Sequence, residues 1–113
     1  TIEWRDWFGG PIKSGPSLAI KADGKLLVKG EELMTIPHND WVAIDIVCGL
    51  GRQRTGTFAL TVTPSGGKPR HWDALPCGYR KFGKVNWIGI ISAAKANTRF
   101  QIDNFRLEKV TAE

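Results

Sequence analysis

Apolar and polar residues alternate in short runs along most of this chain, and turn-forming residues separate the runs. The clearest run is 57–63, in which Phe58, Leu60 and Val62 share one parity and polar or small residues take the other. A period of two predicts strands with one buried face. Helical periodicity is almost absent. We therefore predict an all-β fold of about eight short, mostly antiparallel strands in a two-sheet β-sandwich.

Turn signals position the other predicted strands. Asp23-Gly24 favours the positive backbone angles of a tight hairpin turn, so we expect it to join strands at 17–21 and 25–29. Further strands are predicted at residues 31–36, 41–48 and 86–92. The stretch 71–84 lacks clean periodicity and is expected to run over the surface.

The final predicted strand, residues 99–108, follows a loop of small residues at 93–98 and breaks its own alternation. Apolar positions before residue 103 fall on one parity and those after it on the other: Phe100, Ile102, Phe105 and Leu107. A strand accommodates such a switch by inserting one residue. This predicts a β-bulge at Asp103–Asn104.

The composition is that of one ordinary folded domain. The chain has 113 residues, of which 42% are hydrophobic and 24% charged, and this length supports one core. Five Trp are unusually many, so either the core is rich in aromatic rings or some rings face a ligand. No apolar run reaches the ~20 residues of a membrane span. Alternation is already under way at residue 1, and we expect a module or piece of a larger protein.

Charge and cysteine content leave two questions open. The net charge is +5, and the basic excess is concentrated at Lys68, Arg70, Arg80, Lys81 and Lys84. These residues form either an anion-binding patch or a solvated loop, and nucleic acid is not expected as a partner because no RNA-binding signature accompanies them. Cys48 has the parity of the apolar residues before it, which suits a buried thiol or half of a disulfide to Cys77.

Four segments resemble a known family: 39–46, 56–62, 87–92 and 100–107. Their order is similar to the second half of the concanavalin A-like lectin and glucanase jelly rolls, which include LamG-like domains and many carbohydrate-binding modules. The similarity covers roughly residues 36–110. It implies a jelly-roll fold and a secreted or cell-surface protein that binds glycan, while fold alone does not fix function.

Two departures from the family narrow this expectation. Glucanases of this fold carry Glu, Asp and Glu along one strand face, and retaining hydrolysis needs the two Glu close together. Here Asp45 is present, but Ala43 and Val47, or Cys48 if the strand bulges, stand at the catalytic positions. We therefore expect no enzyme. The first half of the chain is also shorter than in full-size members of the family. The domain is therefore either a compact variant, or it is completed by strands from a partner chain or from a removed segment.

The resemblance also implies a structural calcium site. In many such modules a carboxylate of the closing strand binds Ca²⁺ together with backbone carbonyls, which suits a cation needing six to eight oxygens. Asp103 is the candidate ligand here. The alternative is that Asp103 and Asn104 accept backbone N–H bonds from a neighbouring loop, with no metal.

Exposed aromatic rings are the candidate sugar-binding groups. The apolar face of a sugar ring stacks on a flat ring while polar side chains bond its hydroxyls. Trp72, Tyr79 and Trp7 are the candidate stacking residues, and Asp73 and Arg70 would bond hydroxyls beside Trp72. The alternative for Trp72 is packing. Trp41 and Trp87 lie on apolar strands, and core packing is expected for both.

Catalysis by a histidine is not expected. His38 and His71 are the two histidines, each in a predicted loop, and no Gly-x-Ser-x-Gly nucleophile turn accompanies them. Asp45 shares a strand face with Trp41, Ala43 and Val47, and this face either contacts a ligand or is simply solvated.

The alternating pattern predicts a β-sandwich, and the resemblance implies that it is non-catalytic and binds glycan. The alternative is a structural or protein-interaction domain whose basic loop meets an acidic partner. The identity of the glycan and the oligomeric state stay open.

Overall fold

The computed structural model describes residues 1–92 and 101–109, and in them the chain is almost entirely β. Its strands are β1 (Ile2–Asp6), β2 (Lys13–Ile20), β3 (Lys25–Val28), β4 (Glu31–Thr35), β5 (Val42–Cys48), β6 (Thr57–Pro64), β7 (Arg70–Pro76) and β8 (Trp87–Ile90). Among the described residues, one 3₁₀ turn, Gly51–Gln53, lies in the connection between β5 and β6. No helix in this part of the chain has the length and apolar character needed to cross a membrane.

The strands form two antiparallel sheets. The first has the order β4-β3-β2-β1-β8 and the second the order β5-β6-β7. Their inward side chains meet in one core: Leu18, Leu26, Val28, Met34 and Ile36 from the first sheet and its flanks, and Phe58, Leu60, Val62, Cys77 and Phe82 from β6 and the segment after β7. The prediction of an all-β fold with two antiparallel sheets is confirmed, and its jelly-roll connectivity stays a prediction.

The predicted hairpin turn joins β2 to β3. Gly24 has φ +87°, and its N–H donates to the Lys21 carbonyl at 2.9 Å. A Cβ at this position would stand 2.5 Å from the Ile36 carbonyl oxygen, so the turn requires glycine both for its backbone angle and for space.

The β5–β6 pair follows the alternation of the sequence. Its register runs without interruption from Val42 opposite Pro64 to Cys48 opposite Phe58. Phe58, Leu60 and Val62 are buried as predicted. Because side chains alternate across a strand, every second residue of β5 points away from the core.

The expectation that residues 71–84 run over the surface is wrong in two respects. Residues 70–76 form β7, which pairs with β6 through an irregularity between Phe58 and Leu60. This bulge and the polar outer positions of an edge strand obscure the period of two. Beyond β7, Cys77 and Phe82 are buried in the core.

The closing strand is also not formed in the residues that the structure describes. Residues 101–109 contain no strand, and Asn104 adopts the left-handed conformation, with φ +55°. The change of parity is therefore met by a change of chain direction at Asn104, rather than by a bulge in a paired strand. Phe105 and Leu107 remain exposed beside β8. The loop at 93–98 and Phe100 lie outside the described residues.

Candidate functional site

Strand β7 divides the predicted sugar-binding residues between two faces of its sheet. Trp72 is paired with the buried Leu60 and packs half-buried against the core. His71 and Asp73, one position to either side, are exposed. Since neighbouring residues of a strand point to opposite faces, the structure separates Asp73 from Trp72, which the sequence had grouped together.

Arg70 lies on the Trp72 side of β7. Its guanidinium carbon stands 5.2 Å from the centre of the Trp72 ring, a distance at which the cation and the ring attract each other. The exposed arginine therefore lies over the half-buried Trp72 ring at the edge of the core.

A hydrogen-bonded chain of polar side chains lies on the opposite, exposed face. Thr61 Oγ1 is 2.7 Å from His71 Nδ1, and His71 Nε2 is 2.7 Å from Asp73 Oδ1. An ionised carboxylate only accepts hydrogen bonds, so Nε2 carries a proton and donates to Asp73. In the neutral imidazole Nδ1 then accepts, and the Thr61 hydroxyl donates to it.

The register extends this chain into a row across the whole sheet. Thr61 stands opposite Asp45 on β5 and opposite His71 on β7. Asp45 points away from the core, on the face predicted from its parity, and that face is solvated. Asp45, Thr61 and His71 are therefore side by side, with Asp73 bonded to the end of the row.

Trp41 lies on this same face and is 54% exposed, so the expectation of core packing is wrong for it. Its backbone is held on both sides, because its N–H donates to Asp40 Oδ1 at 2.9 Å and its carbonyl accepts from Ser65 N at 3.0 Å. We call this surface the outer face of the second sheet. It consists of Trp41, Ala43, Asp45, Val47, Ala59, Thr61, Thr63, His71 and Asp73.

The order Asp73–His71–Thr61 is that of a catalytic triad with threonine as nucleophile. Thr61, however, is in the middle of the central strand, where the ladders to β5 and β7 lie on either side. A triad also needs free N–H groups that bind the developing oxyanion, and a paired central strand does not offer them. The arrangement is suited to hydrogen bonding a ligand.

The second predicted aromatic site, Trp7, belongs to the first sheet. Trp7 is 43% exposed and meets Trp87 edge to face, with 6.3 Å between ring centres. The Arg5 guanidinium lies 4.3 Å from the Trp87 ring centre and 5.7 Å from that of Trp7. Trp87 is half-buried, but it packs in this cluster and not among the core side chains, so core packing is not confirmed for it.

Tyr79 occupies a third place, after β7 and against β2. Its N–H donates to the Ser14 carbonyl at 2.6 Å, and Lys13 Nζ lies 5.5 Å from the centre of its ring. The three predicted stacking residues, Trp72, Tyr79 and Trp7, thus make no common platform with one another.

No relative supplies a function for this site. The chain matches no family model, no curated protein and no solved structure. The resemblance to concanavalin A-like domains accordingly stays an expectation drawn from short motifs, and the site is interpreted from its own geometry.

Asp103, the predicted calcium ligand, is exposed. Its Oδ1 accepts the N–H of the next residue, Asn104, at 2.9 Å, which is not the bond from a neighbouring loop that was the alternative to a metal site. Within residues 1–92 and 101–109, no group of three or more His, Cys, Asp or Glu side chains could hold a metal ion. Calcium binding through backbone carbonyls remains an untested prediction.

A basic surface lies at one end of the second sheet. Two loops, 49–56 and 77–86, are joined by a hydrogen bond of 2.7 Å from Gly51 N to the Gly83 carbonyl. We call them the basic loops, because they contain five cationic residues and no Asp or Glu: Arg52, Arg54, Arg80, Lys81 and Lys84. All five are exposed. The two predicted basic residues Lys68 and Arg70 lie elsewhere, at the start of β7.

The row on the outer face was missed because β7 was not recognised as a strand. Once residues 70–76 are assigned as a strand, His71 and Asp73 fall on one face by their spacing of two. The parity of Trp41 with Asp45 already placed that ring on the same side. The contact between His71 and Thr61, in contrast, depends on the β6–β7 register and has no sequence signal.

Proposed function

We propose that this chain is a non-catalytic glycan-binding domain that holds an extended sugar chain on the outer face of the second sheet. The observation that supports this most is the coincidence, on one open sheet face, of an exposed Trp41 with the polar row of Asp45, Thr61 and His71. Sugars offer hydroxyls and an apolar C–H face, and this surface offers a partner for each.

Each side chain has a distinct part in this proposal. The carboxylates of Asp45 and Asp73 accept hydrogen bonds from sugar hydroxyls, and Thr61, whose own proton is donated to His71, also accepts. Strands lie about 4.8 Å apart, so the row is roughly 10 Å wide. Trp41 lies four residues from Asp45, or roughly 13 Å along the strand. Because one sugar ring does not bridge that distance, the ligand is an oligosaccharide or polysaccharide.

We also propose that the fold is a concanavalin A-like jelly roll. The order of the motifs supports this fold, and so does the pairing of β8 with β1 at the edge of the first sheet. The same resemblance supports a secreted or cell-surface location and a structural Ca²⁺ near Asp103. The glycan proposal does not depend on the ion, because Asp103 is not a residue of the outer face.

Replacing Trp41 with alanine is expected to weaken polysaccharide binding about tenfold, equivalent to ~1.4 kcal/mol. The exposed ring contributes stacking but little to the core, so folding should be preserved. Affinity gel electrophoresis on a panel of neutral and acidic polysaccharides, repeated with calcium and with chelator, measures the effect. Wild-type affinity in the range of μM to mM would be normal for an open site.

Trp7→Ala and Trp72→Ala are the matched controls, since each removes one indole from another place. Both should bind as the wild type does, provided that Trp72→Ala, which removes a packed ring, is shown to be folded by circular dichroism. Loss of binding in Trp7→Ala, with Trp41→Ala unaffected, would place the site on the first sheet. No binding to any polysaccharide would reject the glycan function.

The basic loops support a second candidate function, recognition of an acidic partner. Five exposed cations without a neighbouring carboxylate in either loop give a positive potential that attracts polyanions. We expect Lys81→Glu to lower the affinity for poly-glutamate, measured by fluorescence anisotropy at low salt, by several-fold. Binding should also weaken as salt screens the charges.

Lys21→Glu makes the same change of charge at the exposed residue that follows β2 and is the control. Equal losses of affinity for poly-glutamate in Lys21→Glu and Lys81→Glu would indicate that net charge alone is responsible for binding. This result would contradict a site at the basic loops.

A further inference from the structure

Two cysteines meet at the beginning of β6. Cys48 is the last residue of β5, opposite Phe58, and its Sγ donates to the Thr57 carbonyl at 3.7 Å. Cys77 directly follows β7, and its N–H donates to the Gly56 carbonyl at 2.9 Å. The two cysteines therefore flank the start of the central strand from opposite sides, Cys48 beside Thr57 and Phe58 and Cys77 beside Gly56, which immediately precedes β6.

Their side chains share the core side of the sheet. Cys48 is half-buried and Cys77 buried among the apolar side chains. Gly56, the buried residue between them, has no side chain to separate the two sulfurs. The two thiols therefore share one end of the core, where each changes the pKa of the other.

The contact makes the two thiols unequal. The hydrogen bond from the Cys77 thiol lowers the pKa of Cys48 from its ordinary value, against the opposing effect of burial. The same bond, together with burial, raises the pKa of Cys77. Since the thiolate is the reactive form, Cys48 is the more reactive partner, and it is also the more exposed one.

We propose that Cys48 and Cys77 are an oxidisable pair that forms an intramolecular disulfide across β6 by exchange with a small-molecule disulfide. The Cys48 thiolate attacks the disulfide, which breaks its S–S bond, forms a mixed disulfide and releases one thiol. The Cys77 sulfur then displaces the second thiol as its own proton leaves. In total, two protein thiols are oxidised and one disulfide is reduced to two thiols.

The cross-link would join the ends of β5 and β7 around the central strand. It would also connect the two basic loops, because Cys48 immediately precedes one and Cys77 begins the other. This inference is independent of the glycan proposal, since neither cysteine is a residue of the outer face.

The test is to equilibrate the full chain with mixtures of reduced and oxidised glutathione, block free thiols with iodoacetamide and weigh the intact protein. Both thiols of the wild type should lose reactivity together, in a monomer. Cys77→Ser should accumulate glutathione on Cys48, whereas Cys48→Ser should leave Cys77 largely unmodified. The oxidised wild type should melt roughly 10 °C above the reduced form.

Three results would overturn the proposal. Wild-type thiols that stay alkylatable in pure oxidised glutathione would show that the pair does not close. Disulfides found only between two molecules would show that the contact does not direct the chemistry. Glutathione on each cysteine of one wild-type molecule would show that the second thiol does not resolve the first. All three results are measured on the wild type, so they do not depend on whether Cys48→Ser and Cys77→Ser fold.

Discussion

Phe82→Ala is expected to destabilise the protein by about 3–5 kcal/mol, the usual loss for a buried Phe reduced to alanine. The ring is 1% exposed although it lies in a loop between β7 and β8. It packs directly on Gly15 of β2, where a Cβ would stand 2.4 Å from Phe82 Cε2. The substitution therefore leaves a cavity between the first sheet and the segment after β7. Urea unfolding followed by tryptophan fluorescence measures the loss.

Phe8→Ala removes the same ring from a position that is 93% exposed. Its effect should stay within about 0.5 kcal/mol, as for most surface substitutions. Similar losses in the two variants would mean that Phe82 is not a core residue in solution. The difference between them measures what burial contributes, because the deleted atoms are the same.

The parts of the fold that the sequence predicted are those where one face of a strand is buried and the other is polar. Phe58, Leu60 and Val62 follow this pattern on the central strand, and Asp23-Gly24 adds a turn whose glycine has the predicted positive φ. In these segments the local pattern and the tertiary packing agree, so the period of two is sufficient evidence.

The predictions that failed concern residues whose burial or strand pairing depends on distant parts of the chain. Phe82 has no periodic neighbours, and its burial depends on Gly15, a residue 67 positions away whose missing side chain leaves room for the ring. Strand β7 is an edge strand that bulges opposite Phe58 and Leu60, and a bulge removes the alternation by which a strand is recognised.

The candidate site shows the same division. His71 and Asp73 are polar neighbours of Trp72 in the sequence, and only the assignment of β7 as a strand places the two on one face. Trp41 was expected in the core because its strand is apolar. Its parity with Asp45 was the better guide, since side-chain direction in a strand follows parity and not average hydrophobicity.

Gly56→Ala is expected to cost about 2–5 kcal/mol, from two separate causes. Gly56 has φ +74°, and a residue with a Cβ pays roughly 1–2 kcal/mol to adopt this conformation. The added Cβ would also stand 2.3 Å from the Arg80 carbonyl oxygen. Backbone cannot rotate away as a side chain does, so the overpacking adds about 1–3 kcal/mol. Thermal and urea unfolding should both report the loss.

Gly66→Ala separates the two causes. Gly66 has a similar φ of +69° but nothing within 4 Å of an added Cβ, so its loss should be that of the backbone conformation alone, about 1–2 kcal/mol. Equal losses at the two positions would show that the approach of Arg80 to Gly56 is not maintained in solution. If Gly56→Ala lowers the free energy of unfolding more than Gly66→Ala does, the difference is the cost of moving the Arg80 backbone. The Cys77 N–H donates to the Gly56 carbonyl, so a shift of the backbone at Gly56 should also lower the yield of the disulfide between Cys48 and Cys77. Gly66→Ala should leave that yield unchanged.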